Sequence, residues 1–95
     1  MEQRISLERM EEAVSLFGSF DENIRILENE FHVSVVNREE QLIITGEPED
    51  TMLAEKAIEA LLRLISRGEN VGEQHVRYVI GLCRRGQMAR IDELT

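Results

Sequence analysis

LFGSFDENIRILENEFHVSVV, residues 16–36, sets Gly18 and Ser19 between two stretches of helical periodicity and then passes into the β-branched run Val33-Ser34-Val35-Val36. Ser19 with Glu22 three positions on is the S-x-x-E pattern, in which a hydroxyl and a carboxylate each satisfy an orphan amide at a helix start. Phe20, Ile24, Leu27 and Phe31 recur on one face, so the spacing predicts a helix over 20–31 that buries this stripe. Helix, glycine turn, helix and then strand commit the chain to a mixed α/β fold.

Upstream, Met10, Ala13, Val14 and Phe17 keep helical spacing, and Gly18 stands where a helix stops. Before them Arg4-Ile5-Ser6-Leu7-Glu8 alternates polar and apolar residues as a half-buried strand does, with a first helical turn as the competing reading. Downstream, the β-branched runs 33–36 and 42–45 are separated by the polar stretch 37–41, which predicts a hairpin with a five-residue connection. Gly46-Glu47-Pro48 ends the second strand, and Asp50 or Thr51 is expected to cap a long helix. Its apolar face is Leu53, Ala57, Ile58, Leu61, Leu62 and Ile65, closed by Gly68 after Arg67. Val76, Val79, Ile80 and Cys83 mark a last helix ending near Gly86.

The expected order is strand, helix, glycine turn, helix, strand, strand, helix, with one extra helix at the C-terminal end. This is an α/β fold of the α+β kind, a three-stranded sheet covered by helices. The chain divides into 1–68 for the sheet-bearing domain, 69–86 for the additional helix and 87–95 for a tail or linker.

Ninety-five residues, 42% of them hydrophobic, suit one core and not two. Aromatics are 4%, with no Trp and one Tyr, so platforms on which bases could stack are scarce. The net charge of −8 is uneven: residues 1–50 carry 13 acids and 4 bases, residues 51–95 carry 6 acids and 7 bases. An anionic partner is therefore expected to meet the second half or a neighbouring domain. The single Cys83 excludes an intramolecular disulfide and a thiolate zinc cage, and points to a reducing, cytoplasmic compartment. No apolar run approaches the roughly 20 residues that span a bilayer, and the polar start MEQRISLER lacks a signal peptide's hydrophobic region.

His32 and His75 stand without a Cys or second His at ligand spacing, and neither has a recognisable nucleophile beside it. Glu11-Glu12 and Glu39-Glu40 are adjacent acids, which diverge on helices and strands alike. No catalytic residue, cofactor-binding residue or metal ligand is expected, and the chain is not read as an enzyme. By composition and periodicity it is a small acidic α/β domain with no visible active site.

The element order with a glycine turn between the first two helices resembles the KH nucleic-acid-binding domain in its β-α-α-β-β-α form, whose GXXG loop clamps the backbone of about four nucleotides. More specifically, LFGSFDENIRILENEFHVSVV, LIITGEPED and AEKAIEALLRLISRG are similar to the KH-like N-terminal domain of PhoH-family proteins, the phosphate-starvation-inducible group in which a P-loop ATPase domain follows. The resemblance covers roughly residues 5–80. It implies Gly18, Ser19, Phe20 and Asp21 as a degenerate GXXG loop, with Arg25 one turn into the next helix as a further nucleic-acid contact. It also implies single-stranded RNA and the adjoining ATPase domain as partners, with ATP and Mg held in that domain and not here. This chain has no G-x-x-x-x-G-K-[ST] string, and its only lysine is Lys56.

The fourth loop position, Asp21, is a carboxylate where the pattern has its second glycine, and none of the four is basic. A carboxylate repels a phosphate, whereas the amides at the helix start attract one. The same four residues also read, without any ligand, as a helix stop followed by a capped start, and Arg25 as a solvated arginine pairing with Glu22 or Glu28. Arg63, Arg67, Arg77, Arg84 and Arg85 make the second half relatively basic, for contact with RNA or for docking the ATPase, although a net charge of +1 is a weak electrostatic footprint. The expected function is a non-catalytic accessory module that brings RNA, or a partner acting on RNA, to the ATPase. The alternative is a protein-interaction or assembly module that positions ATPase subunits, as in a homo-oligomer, without touching nucleic acid.

Overall fold

A computed structural model describes residues 1–7 and 9–84. The chain runs β1 (Glu2–Ser6), α1 (Met10–Phe17), a single 3-10 turn at Ser19–Asp21, α2 (Glu22–Phe31), β2 (Ser34–Arg38), β3 (Gln41–Thr45), α3 (Pro48–Ser66) and α4 (Glu73–Arg84). This is the strand and helix order read from the sequence. The three strands form one antiparallel sheet in the order β1-β3-β2.

The central position falls to β3, the most apolar of the strands, because a middle strand is flanked on both edges and must bury its inward face. Ile5 pairs with Leu42 and Val35 with Ile44, and all four side chains point into the core. Leu42 and Ile44 are fully buried, each contributing about 2 kcal/mol of hydrophobic stabilisation. The opposite face carries Glu2, Arg4 and Ser6 from β1 and Ser34, Val36 and Arg38 from β2, all exposed.

The helices cover the inward face. Ala54, Ala57, Ile58, Ala60, Leu61 and Leu64 give α3 a buried stripe, and α4 joins the same core through Val76, Val79, Ile80, Leu82 and Cys83. The small alanines let α3 lie close to its neighbours. Helix α3 begins earlier than the expected cap at Asp50 or Thr51: Glu47 is the N-cap and Pro48 opens the helix, where its missing N–H costs nothing. It closes as expected, with Gly68 left-handed at φ 93° and the amides of Gly68 and Glu69 donating to Ile65 and Leu64 carbonyls.

Other boundaries depart from the pattern for identifiable reasons. Strand β1 starts at Glu2 and not Arg4, since its pairing with β3 continues to Thr45; Glu8, the expected end of that strand, lies outside the described residues. The hairpin connection is two residues long instead of five, with Glu39 and Glu40 at φ 51° and 65°. Two consecutive positive φ values mark the type I′ turn that matches strand twist, but the usual Asn-Gly signal is absent. In α1, Val14 is 71% exposed and Leu16 takes the fully buried place. Cys83 is buried as read, and the tail assigned to 87–95 lies outside the described residues.

Candidate nucleic-acid interface

The loop 18–21 sits where α1 hands over to α2. Gly18 has φ 75° and ψ −175°, a region open only to glycine. A Cβ there would come within 2.9 Å of the Asn23 side chain. Asn23 is itself buried, and its amide donates to the Val71 carbonyl at 3.2 Å, tying the start of α2 to the α3–α4 connection. The glycine is thus required both by the backbone and by the asparagine packed against it.

Phe20 and Asp21 follow at φ 55°, ψ 32° and φ 58°, ψ 27°, two successive non-glycine residues in the left-handed region. That conformation costs roughly 1–2 kcal/mol per residue, less for Asp, whose short side chain tolerates it. The helix does not begin at Phe20 as the capping-box pattern predicts. It begins at Glu22, and the N-cap Asp21 makes no side-chain cap bond. Phe20 consequently leaves the apolar stripe assigned to it and stands 90% exposed, while Ile24, Leu27 and Phe31 remain buried.

Two concavities flank the loop. One, of about 440 Å³, is lined by Phe20, Glu22, Arg25, Ile26 and Asn29, with Glu73 and Arg77 of α4 on its far wall. The other, of about 300 Å³, lies toward α1 and β2 and is lined by Ala13, Val14, Phe17, Gly18, Asp21 and Asn37. Four of the five candidate residues, all but Ser19, are therefore split between the two. Phe20 and Arg25 share the first groove, and Gly18 and Asp21 belong to the second.

The charges distinguish the two. Among the described residues Asp21 is the only charged one lining the α1/β2 groove, which disfavours an anion. The α2/α4 groove is lined by two guanidinium groups, Arg25 and Arg77, and by two carboxylates, Glu22 and Glu73. Arg77 pairs with Glu73 one turn earlier at 2.8 Å, and that hydrogen bond raises its pKa. Arg25 is exposed, and among the described residues no carboxylate holds it. The pairing expected with Glu28 does not form, because the Glu28 carboxylate accepts the Val35 amide at 2.9 Å.

The remaining basic side chains are placed elsewhere. Arg84 binds the Glu30 carboxylate at 3.1 Å, donates to the Glu30 carbonyl and lies 5.6 Å from the centre of the Phe31 ring, so it fastens α4 to α2. Arg85 lies outside the described residues. His32 caps α2 in a left-handed conformation, and His75 Nδ1 accepts the Gly72 amide at 3.3 Å, so both serve at helix ends. Burial pushes the Cys83 thiol up to about 11, against a smaller opposing pull from Lys56. Among the described residues no cluster of three His, Cys, Asp or Glu is placed to hold a metal ion, and no helix is long and apolar enough to cross a membrane.

Sequence reasoning found the loop but missed the two-sided arrangement. Ile26 and Asn29 carry no periodic or motif signal, and α4 approaches α2 only through the tertiary fold.

The chain is similar to curated PhoH-like proteins. That of Bacillus subtilis (strain 168) is 26% identical over 88 residues, 93% of this chain and 28% of its own length. Those of Mycobacterium tuberculosis (strain ATCC 25618 / H37Rv) and Mycobacterium leprae (strain TN) are 33% and 35% identical over 69 residues, 73% of this chain and 20% of their own length. No family model and no solved structure matches. The chain therefore spans between a fifth and somewhat over a quarter of the relatives it matches. Sequence similarity that runs through the loop, the hairpin and the long helix to cover most of these residues places the chain in the PhoH-like family.

Proposed function

We propose that this chain is an accessory module of a PhoH-family protein, with residues 1–68 as its KH-like domain and the helix that follows packed on it, and that the module holds single-stranded RNA without catalysing a reaction. The observation that carries this reading is Phe20: a large aromatic side chain, 90% exposed, lifted out of its helical stripe by a left-handed backbone and set beside Arg25. An exposed aromatic face stacks any base, and an adjacent guanidinium meets its phosphate. Left-handed non-glycine residues persist only where the surroundings over-determine them, and they concentrate at functional sites.

Electrostatics set the expected strength. With a net charge of −8 and an acid at the fourth loop position, the module binds weakly and with a shallow salt dependence. In this reading the GXXG-like loop positions the strand and the α2/α4 groove receives it. ATP, Mg and hydrolysis belong to the part of the protein outside these residues, and the setting is cytoplasmic.

Fluorescence anisotropy with a short single-stranded RNA at low and moderate salt tests the proposal. The wild type is expected to bind, Phe20→Ala to lose about tenfold in affinity, and Asp21→Gly to bind more tightly by removing a carboxylate from the loop that positions the strand. Failure of both the wild type and Asp21→Gly to bind would replace this reading with that of an assembly module.

A further inference from the structure

The two edges of the sheet are finished differently. At the β2 edge one residue of α2 occupies two of the outward amides: Val33 N–H donates to the Glu28 carbonyl at 3.2 Å, and Val35 N–H to the Glu28 carboxylate at 2.9 Å, which leaves Asn37 at the hairpin end. At the β1 edge the hydrogen-bonded partners of β3 are residues 1, 3, 5 and 7, as the Met1–Gly46 and Leu7–Glu40 bonds at the two ends of the ladder fix. The N–H and C=O groups of Glu2, Arg4 and Ser6 therefore point outward, and no partner for them occurs among the described residues. An open row of this kind is a template for another strand.

We infer that the β1 edge binds a second copy of this chain, β1 to β1 antiparallel about a two-fold axis at Gln3, giving a six-stranded sheet. The charge pattern selects both the partner and the register. With Gln3 on the axis, Glu2 stands opposite Arg4 of the second copy and Arg4 opposite its Glu2, so two ion pairs form across the junction while the four outward backbone groups of Glu2 and Arg4 find partners. The register one pair further along would set Arg4 against Arg4. In the single chain Glu2 and Arg4 already meet at 2.8 Å on the open face, so each can exchange its neighbour for the partner's without rotating across the sheet. The two-fold sets both α3 helices, which pack against β1, on one side of the joined sheet. This association is independent of any nucleic acid and uses none of the loop or groove residues.

Sedimentation equilibrium of the full 95-residue chain, with nothing added ahead of Met1, reads it directly. A concentration-dependent dimer is expected. Arg4→Glu and Glu2→Arg each oppose like charges and weaken it by about tenfold or more. Mixing those two variants restores it as a heterodimer, and the double variant carrying both changes restores it as a homodimer. A wild type that stays monomeric up to millimolar concentration overturns the inference, as does a dimer that both single variants leave intact. Circular dichroism of each variant guards the result, since exposed edge substitutions leave the fold unchanged.

Discussion

Two turns in this molecule each hold a pair of successive non-glycine residues in the left-handed region, and they differ in what holds them there. At Glu39-Glu40 the cause is local and visible: five register pairs join β2 to β3, and a two-residue connection between twisted antiparallel strands requires positive φ at both positions. At Phe20-Asp21 no ladder flanks the turn, and Phe20 touches solvent over most of its surface. The hairpin turn is strained by geometry, whereas the interhelical turn spends comparable strain on displaying an aromatic ring. Strain that displays a ring, where no strand pairing demands it, is the physical ground for proposing function at the second turn and not the first.

The comparison breaks most severely at Gly18. Gly18→Ala forces a Cβ into a glycine-only backbone region and against Asn23, whose bond to Val71 anchors α2. The expected loss is about 2–4 kcal/mol by urea denaturation, together with loss of RNA binding. Next in size, the double change Glu39→Asn with Glu40→Gly supplies the turn's preferred residues and should raise stability by about 1–2 kcal/mol. RNA affinity should stay unchanged, because the hairpin turn contributes nothing to either groove. An altered affinity there would remove the distinction between the turns.

A smaller effect concerns the core that both turns rest on. Cys83 has its pKa pushed from 9.0 up to about 11 by burial, so the folded state keeps its proton where the unfolded chain has lost it. Between those values the native state binds more protons, and stability falls as pH rises. Below about pH 9 the contribution is intact. Cys83→Ala is expected to flatten that part of the stability profile relative to the wild type, and native-state alkylation of Cys83 at pH 8 should be far slower than in urea. The smallest effect is Phe20→Ala on stability, within about 0.5 kcal/mol because the ring is exposed, set against its expected loss in RNA affinity.

What the sequence revealed follows the same division. The stripe of Ala57, Ile58 and Leu61 and the alternation of Leu42 and Ile44 are legible because burial imposes a period, and the strand and helix order follows from them. Glu39-Glu40 reads in sequence as part of a longer loop because positive φ there is imposed by pairing between strands that no local window contains. Ser19 and Glu22 spelled a capping box, yet the helix starts two residues after Phe20, since Asn23 and Gly18 lock together and leave Asp21 as the N-cap. The candidate site is legible as a position in the chain and not as a surface: periodicity puts Phe20 on the apolar stripe, and the approach of Arg77 from α4 depends on long-range packing. The open β1 edge, likewise, shows only once the register with β3 is known.

In the proposed function the α2/α4 side of the loop is the face that meets nucleic acid. Titrating the 15N-labelled chain with a short single-stranded RNA and following amide chemical shifts tests it residue by residue. The expected shifts begin at Phe20 and extend along Arg25, Ile26 and Asn29 to Arg77. Shifts confined to Ala13, Val14 and Asn37, or no shift at any RNA concentration, would contradict it.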